Sequence, residues 1–138
     1  MKAIKLTTHG LVMVVELPKR EHLYQSMQEE IGCDMVEIVG CAMNELGEKY
    51  CMVCDEEFLL KGKPIINPLA SYFYGLQDHG QPLCGDVLIM KNHFTPEGVD
   101  TVGLEQEDLE HIYRIIHNRI RDAINVTQKF LQDLQTKE

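Results

Sequence analysis

At 138 residues and 44% hydrophobic composition, the chain suits one domain with a modest core. Its net charge of −9 and pI near 5.1 argue against bulk attraction to DNA, RNA or an anionic membrane. The N-terminal stretch does not read as a signal peptide, and no run approaches the roughly 20 apolar residues of a membrane span. The expectation is a cytoplasmic protein whose five cysteines are reduced thiols.

In chain order, residues 3–17 read as strand, with a break at Thr8-His9-Gly10. Residues 20–31 read as a helix, because Leu23, Met27 and Ile31 recur at i, i+4 and i+8 and Gly32 suits its end. The run DMVEIVGCAM predicts a strand, Glu45 to Glu48 a turn, and KYCMVCDE a returning strand. Residues 58–64 end in a turn signature, Lys61-Gly62-Lys63-Pro64. The stretch INPLASYFYG reads as a half-buried strand or a helical turn, followed by a turn at 77–82. GDVLIMKN predicts a further strand and TPEGVD a loop. A last helix starts at Glu105 or Gln106, with acids in its first turn, and runs to about Leu134. This order predicts an α+β fold: a small antiparallel β-sheet with one inserted helix and a long C-terminal helix. Residues 1–104 form the β-rich core and 105–138 a helical region serving oligomerisation.

On a 100° helical wheel, Ile112, Ile115, Ile116, Ile120, Ala123, Ile124, Thr127, Phe130, Leu131 and Leu134 fill one broad side of that last helix. A helix of about 30 residues spans roughly 45 Å, more than a small sheet needs to cover it. A homo-oligomer is therefore expected, the alternative being a helix that breaks near Asn125 and folds back. Arg114, Asn118 and Arg121 lie on the opposite side, while Arg119 falls at the edge of the apolar side, where an unpaired charge is costly.

Charge is unevenly spread. Residues 21–60 carry ten acids and one lysine, giving −9, whereas residues 61–95 sum to +1 and 111–138 to +2. An anion is best sought in the latter two segments, where arginines can donate paired hydrogen bonds to phosphate. Tyr72, Phe73 and Tyr74 are three of only nine Phe and Tyr residues. Adjacent rings cannot all face one core, and a ring left over could stack on a flat ligand. Asn67 either reads such a ligand or caps the backbone before Pro68. Cys51-x-x-Cys54 lies inside a predicted strand, and no second ligand pair accompanies it, so it reads as packing rather than metal or redox chemistry. No motif nominates an enzyme, a metal site or a cofactor.

The succession of an EIVG-type strand, CMVCDEE, LKGKPIINPLASYFYG, HGQPLCGDVLIM and DTVGLEQEDL resembles a phage and bacterial domain-of-unknown-function family over about residues 1–116. Asn67-Pro68, Gly75, Gly85-Asp86-Val87-Leu88 and Gly103-Leu104 carry most of the likeness. Within that family the chain resembles the first class of phage anti-Thoeris proteins. The resemblance implies an oligomeric protein that sequesters a cyclic ADP-ribose isomer without cleaving it, with cyclic oligonucleotides as a further ligand class. It also implies a stacking aromatic among Tyr72, Phe73, Tyr74 and Phe94, an asparagine at Asn67 or Asn92, and helix arginines among Arg114, Arg119 and Arg121, beside which Asn118 is a further candidate ligand residue. An alternative expectation is an acidic phage protein that inhibits a host protein by contact through the segment 21–60.

Overall fold

The computed structural model describes residues 1–18, 20–41, 46–57 and 64–136. Strands β1 (Lys2–Leu6) and β2 (Val12–Glu16) form a hairpin, and α1 (Leu23–Ile31) follows a short 3-10 turn. Next come β3 (Val36–Gly40), β4 (Tyr50–Asp55), α2 (Pro68–Tyr74) and the single turn α3 (Leu76–His79). The long β5 (Val87–Thr95), β6 (Gly98–Val102) and α4 (Gln106–Thr136) complete the chain. The sheet has six antiparallel strands among the described residues, in the order β2-β1-β5-β4-β3, with β6 beside the second half of β5. Lys91 opposes Tyr50 of β4 and also Val102 of β6, so β6 takes the flank of β5 that β1 leaves. The fold is α+β, as the succession of elements predicts.

Alternation along the strands builds two cores. Ile4, Tyr50, Met52, Cys54 and Ile89 face α2 and α4, where they meet Leu69, Phe73, Ile112 and Ile116. Ala3, Cys51, Val53, Leu88 and Met90 face α1, where they meet Leu23 and Met27. The order is thus helix, sheet, helix pair, and β4 is buried along its whole length. The same period of two puts Cys51 and Cys54 on opposite faces of the sheet. That arrangement rules the pair out as a joint metal or redox site and explains it as packing.

One expectation about local structure changes, and one left open between strand and helical turn is decided. TPEGVD is not a loop: β5 continues to Thr95, and a turn at Pro96-Glu97 returns the chain as β6, with Thr95 opposite Gly98. The Thr95 hydroxyl donates to the Gly98 carbonyl at 3.0 Å, closing the turn. The Asn-Pro stretch is helical. Asn67 Oδ1 accepts from the Ala70 N–H at 3.1 Å, and Pro68 sits in the first turn, where it forfeits no helical hydrogen bond. Gly75 ends α2 at φ 101°, a left-handed conformation that glycine adopts without a Cβ penalty. The expected turn at 77–82 begins as α3, and Ala42 to Glu45 and Phe58 to Lys63 lie outside the described residues.

Candidate functional surface

The position of α4 is set by its first turn. Asp108 is buried beneath the helix start and accepts from the Tyr50 hydroxyl at 2.8 Å, the Glu105 N–H at 2.9 Å and the Lys91 ammonium at 3.2 Å. Lys49 adds an ion pair at 3.0 Å. Burial alone pushes the Asp108 carboxyl up, but these donors more than reverse that and hold it well below the usual carboxylate range. Tyr50 is pushed up to about 12 by burial and by its bond to Asp108. This network pins α4 to β4 and β5, and the rest of the helix runs on from there.

The structure distributes the expected ligand residues over four places. Asn67 and Phe73 are fully buried. Both amide hydrogens of Asn67 are used, on the carbonyls of Leu6 and Gly85 at 2.9 Å each, so its role is to lock α2 to the sheet rather than to read a ligand. Phe73 fills the core, which removes it from the stacking candidates, and Tyr72 leans edge-on against it with ring centroids 5.2 Å apart. Tyr72 and Tyr74 are half-buried, and Tyr74 stacks on His79 at 4.5 Å. Asn92 and Phe94 share the strand face that carries Leu88 and Met90, the α1 side of the sheet, whereas α4 lies on the other side. Asn92 donates to the Glu48 carbonyl at 2.9 Å. These two residues therefore do not meet the helix arginines. Arg119 is half-buried and already engaged within the chain.

Arg114, Asn118 and Arg121 remain together. All three are exposed in one row of α4, spaced i, i+4 and i+7, over about 10 Å at 1.5 Å per residue. Neither arginine makes an ion pair among the described residues. The neighbouring row holds Tyr113 and His117, both exposed, which continue to Arg121 at steps of four. Two guanidinium groups, an amide, a phenol ring and an imidazole thus share one open strip. Donors and π-faces side by side are what a planar, phosphate-bearing molecule engages. Tyr113 and His117 were not among the expected ligand residues, although their i+4 spacing to each other and to Arg121 was visible in the sequence. Among the described residues, no group of three or more His, Cys, Asp and Glu is placed to hold a metal ion. None of the helices among those residues is long and apolar enough to cross a membrane.

Residues 1–117 match a family described as a domain of unknown function, DUF3846. No curated protein matches the sequence. A crystal structure of the small RNA methyltransferase HEN1 shares the fold, with TM-score 0.56 and 16% identity over 80% of this chain. The chain spans 15% of that protein's length, and at this identity the likeness concerns the fold alone.

Proposed function

The chain belongs to the DUF3846 family, and on that premise we propose that it is a binding protein of phage or prophage origin that captures a nucleotide-derived immune signal in the host cytoplasm and releases it unchanged. The ligand class is a cyclic ADP-ribose isomer of the type made in Thoeris defence, with cyclic oligonucleotides as a second class. The observation that carries this reading is the exposed row of Arg114, Asn118 and Arg121 beside the rings of Tyr113 and His117, in a chain of net charge −9. Two arginines whose helix positions lie about 10 Å apart along the axis suit a ligand carrying more than one phosphate oxygen cluster. The likeness to the first class of anti-Thoeris proteins supplies the ligand class.

The test incubates the purified protein with cyclic ADP-ribose, its isomers, cyclic di- and trinucleotides and NAD. The protein is then filtered out and heated, and what it releases is assayed. Depletion of one compound, with intact recovery on heating, is the expected result. Arg114→Ala and Arg121→Ala should each weaken binding about tenfold or more, since a hydrogen bond to a charged group contributes about 1.5–3 kcal/mol. Depletion without intact recovery would mean an enzyme. No depletion would reject the ligand class and direct attention to a host protein as partner.

A further inference from the structure

The row that holds Arg114, Asn118 and Arg121 does not end with the second arginine. Steps of four carry it on through Asn125 and Lys129 to Asp133, and these last three line a cleft between α4 and α3. The cleft has a volume of about 620 Å³, a size that suits a small organic ligand. Its floor is apolar: Leu76 of α3 is buried, and Val126 and Phe130 of α4 are half-buried. Gln77 of α3 stands on the wall across from the α4 row. The side chains of Gln77, Asn125, Lys129 and Asp133 are exposed and make no hydrogen bond or ion pair among the described residues. Two carboxamides, an ammonium and a carboxylate, all without a partner in the chain, thus surround three apolar side chains.

We propose that this cleft seats the base of the captured nucleotide, and that the base is adenine. The inference rests on the nucleotide-binding reading above and names where the base lies and what reads it. Phe130 supplies a π-face, on which any base stacks. Selectivity comes from Gln77. A carboxamide presents one acceptor and one donor side by side, the pair that meets the N6 amino group and N7 of adenine. Guanine offers two acceptors at those positions, so the carboxamide oxygen would face another oxygen. Charge sets the direction of the ligand along the row. Arg121 and Lys129, about 12 Å apart along the axis, take the phosphate end. Asn125 lies between them, one turn from each, where its amide meets the ribose hydroxyls. Asp133, one turn beyond Lys129, repels a phosphate and accepts from the second hydrogen of the adenine amino group. The order of charges along the rim is therefore that of a nucleotide laid lengthwise, with its anionic end on the arginine strip and its amino-bearing edge at the far end of the cleft.

The experiment is an amide proton–nitrogen NMR titration of the full chain with adenosine and with inosine. Neither nucleoside carries a phosphate, so the arginine strip is not engaged, and inosine differs from adenosine in carrying an oxygen where adenine has its amino group. Adenosine in the millimolar range is expected to shift the amides of residues 76–80 and 125–133, and inosine to bind about tenfold more weakly. Gln77 is exposed, so Gln77→Ala leaves the fold untouched and should bring adenosine down to the level of inosine. Phe130→Ala should weaken both about tenfold. Adenosine that shifts no amide in the cleft, or inosine that binds as well as adenosine, overturns the proposal. The variants also enter the capture assay described above. Capture that Arg121→Ala abolishes but Gln77→Ala and Phe130→Ala leave unchanged overturns the adenine cleft while the sequestration reading stands. Adenosine held in the cleft by a protein that captures no cyclic signal rejects sequestration and supports the adenine site by itself.

Discussion

Asp108 shows how one side chain places an element. A carboxylate 1% exposed is costly unless it is matched, and here four donors match it. Because its folded-state pKa lies below the unfolded value, Asp108 stabilises the fold fully above the ordinary carboxylate range, near 3.9. That contribution is lost as pH falls towards the depressed folded value, since the unfolded chain then binds the extra proton. Asp108→Asn keeps an acceptor but removes the charge. We expect it to cost about 2 kcal/mol at pH 7, less than a fully sealed ion pair would, because Lys49 and Lys91 still reach solvent. Urea midpoints between pH 7 and pH 3 should show the gap between wild type and variant narrowing below about pH 4. A gap that stays constant would assign the stability to something other than the charge. The acid was legible in the sequence only as one of several in a helix start. Its burial depends on Tyr50, 58 residues away, and no local pattern carries that pairing. Asn67 was more legible, since Asn before Pro is a known way to begin a helix. The sequence left open whether its amide served the backbone or a ligand, and the carbonyls of Leu6 and Gly85 decide it.

At the scale of elements, hydrophobic period located every strand that carries a full face of the core. It missed β6, where GVDTV has no buried residue on either face. The sheet accommodates β6 by backbone pairing to β5, which side-chain pattern does not report. The alternation of β4 has a chemical consequence for its cysteines. Burial pushes the Cys51 thiol up to about 11 and the Cys54 thiol up to about 12, with the carboxylates of Glu37 and Asp55 adding to the latter. Burial likewise pushes Cys41 up to about 12, and raises Cys84. Thiolate is the reactive form, so the three buried thiols, Cys51, Cys54 and Cys84, should resist alkylation while the fold lasts, and the partly exposed Cys41 should react slowly. With iodoacetamide at about pH 8, peptide mass mapping should find the half-exposed Cys33 modified first. Cys51, Cys54 and Cys84 should follow only when urea unfolds the chain. Early modification of Cys51 together with Cys54 would contradict their placement on opposite faces of a closed sheet.

For the whole molecule, the question is what the last 21 residues add to a domain whose family match ends at His117. Up to that point α4 has already delivered Asp108, Leu109, Ile112 and Ile116 to the core. Beyond it the helix buries Ala123 and Thr127 and presents Ile120, Arg121 and Ile124 outward. The length of this helix was legible in the sequence, and so was its excess of apolar surface. Which part of that surface is surplus was not, because the wheel shows one broad face and only the sheet and α2 divide it into a covered and a bare half. A chain ended after His117 should therefore fold, with stability lower by on the order of 2 kcal/mol for the lost burial. Residues 118–138 hold four basic and three acidic side chains, so the truncation changes the net charge only from −9 to −10. Electrostatic repulsion between copies is almost unaltered, and any loss of assembly must come from the missing apolar surface. We expect the truncated chain to sediment as a monomer with a sheet-like circular dichroism spectrum, and to retain none of the nucleotide binding that needs Arg121. If it fails to fold, Ala123 and Thr127 belong to the core rather than to an appended arm. If it folds yet still assembles, copies associate through the sheet edges instead, with the uncapped strand β2 the first place to look.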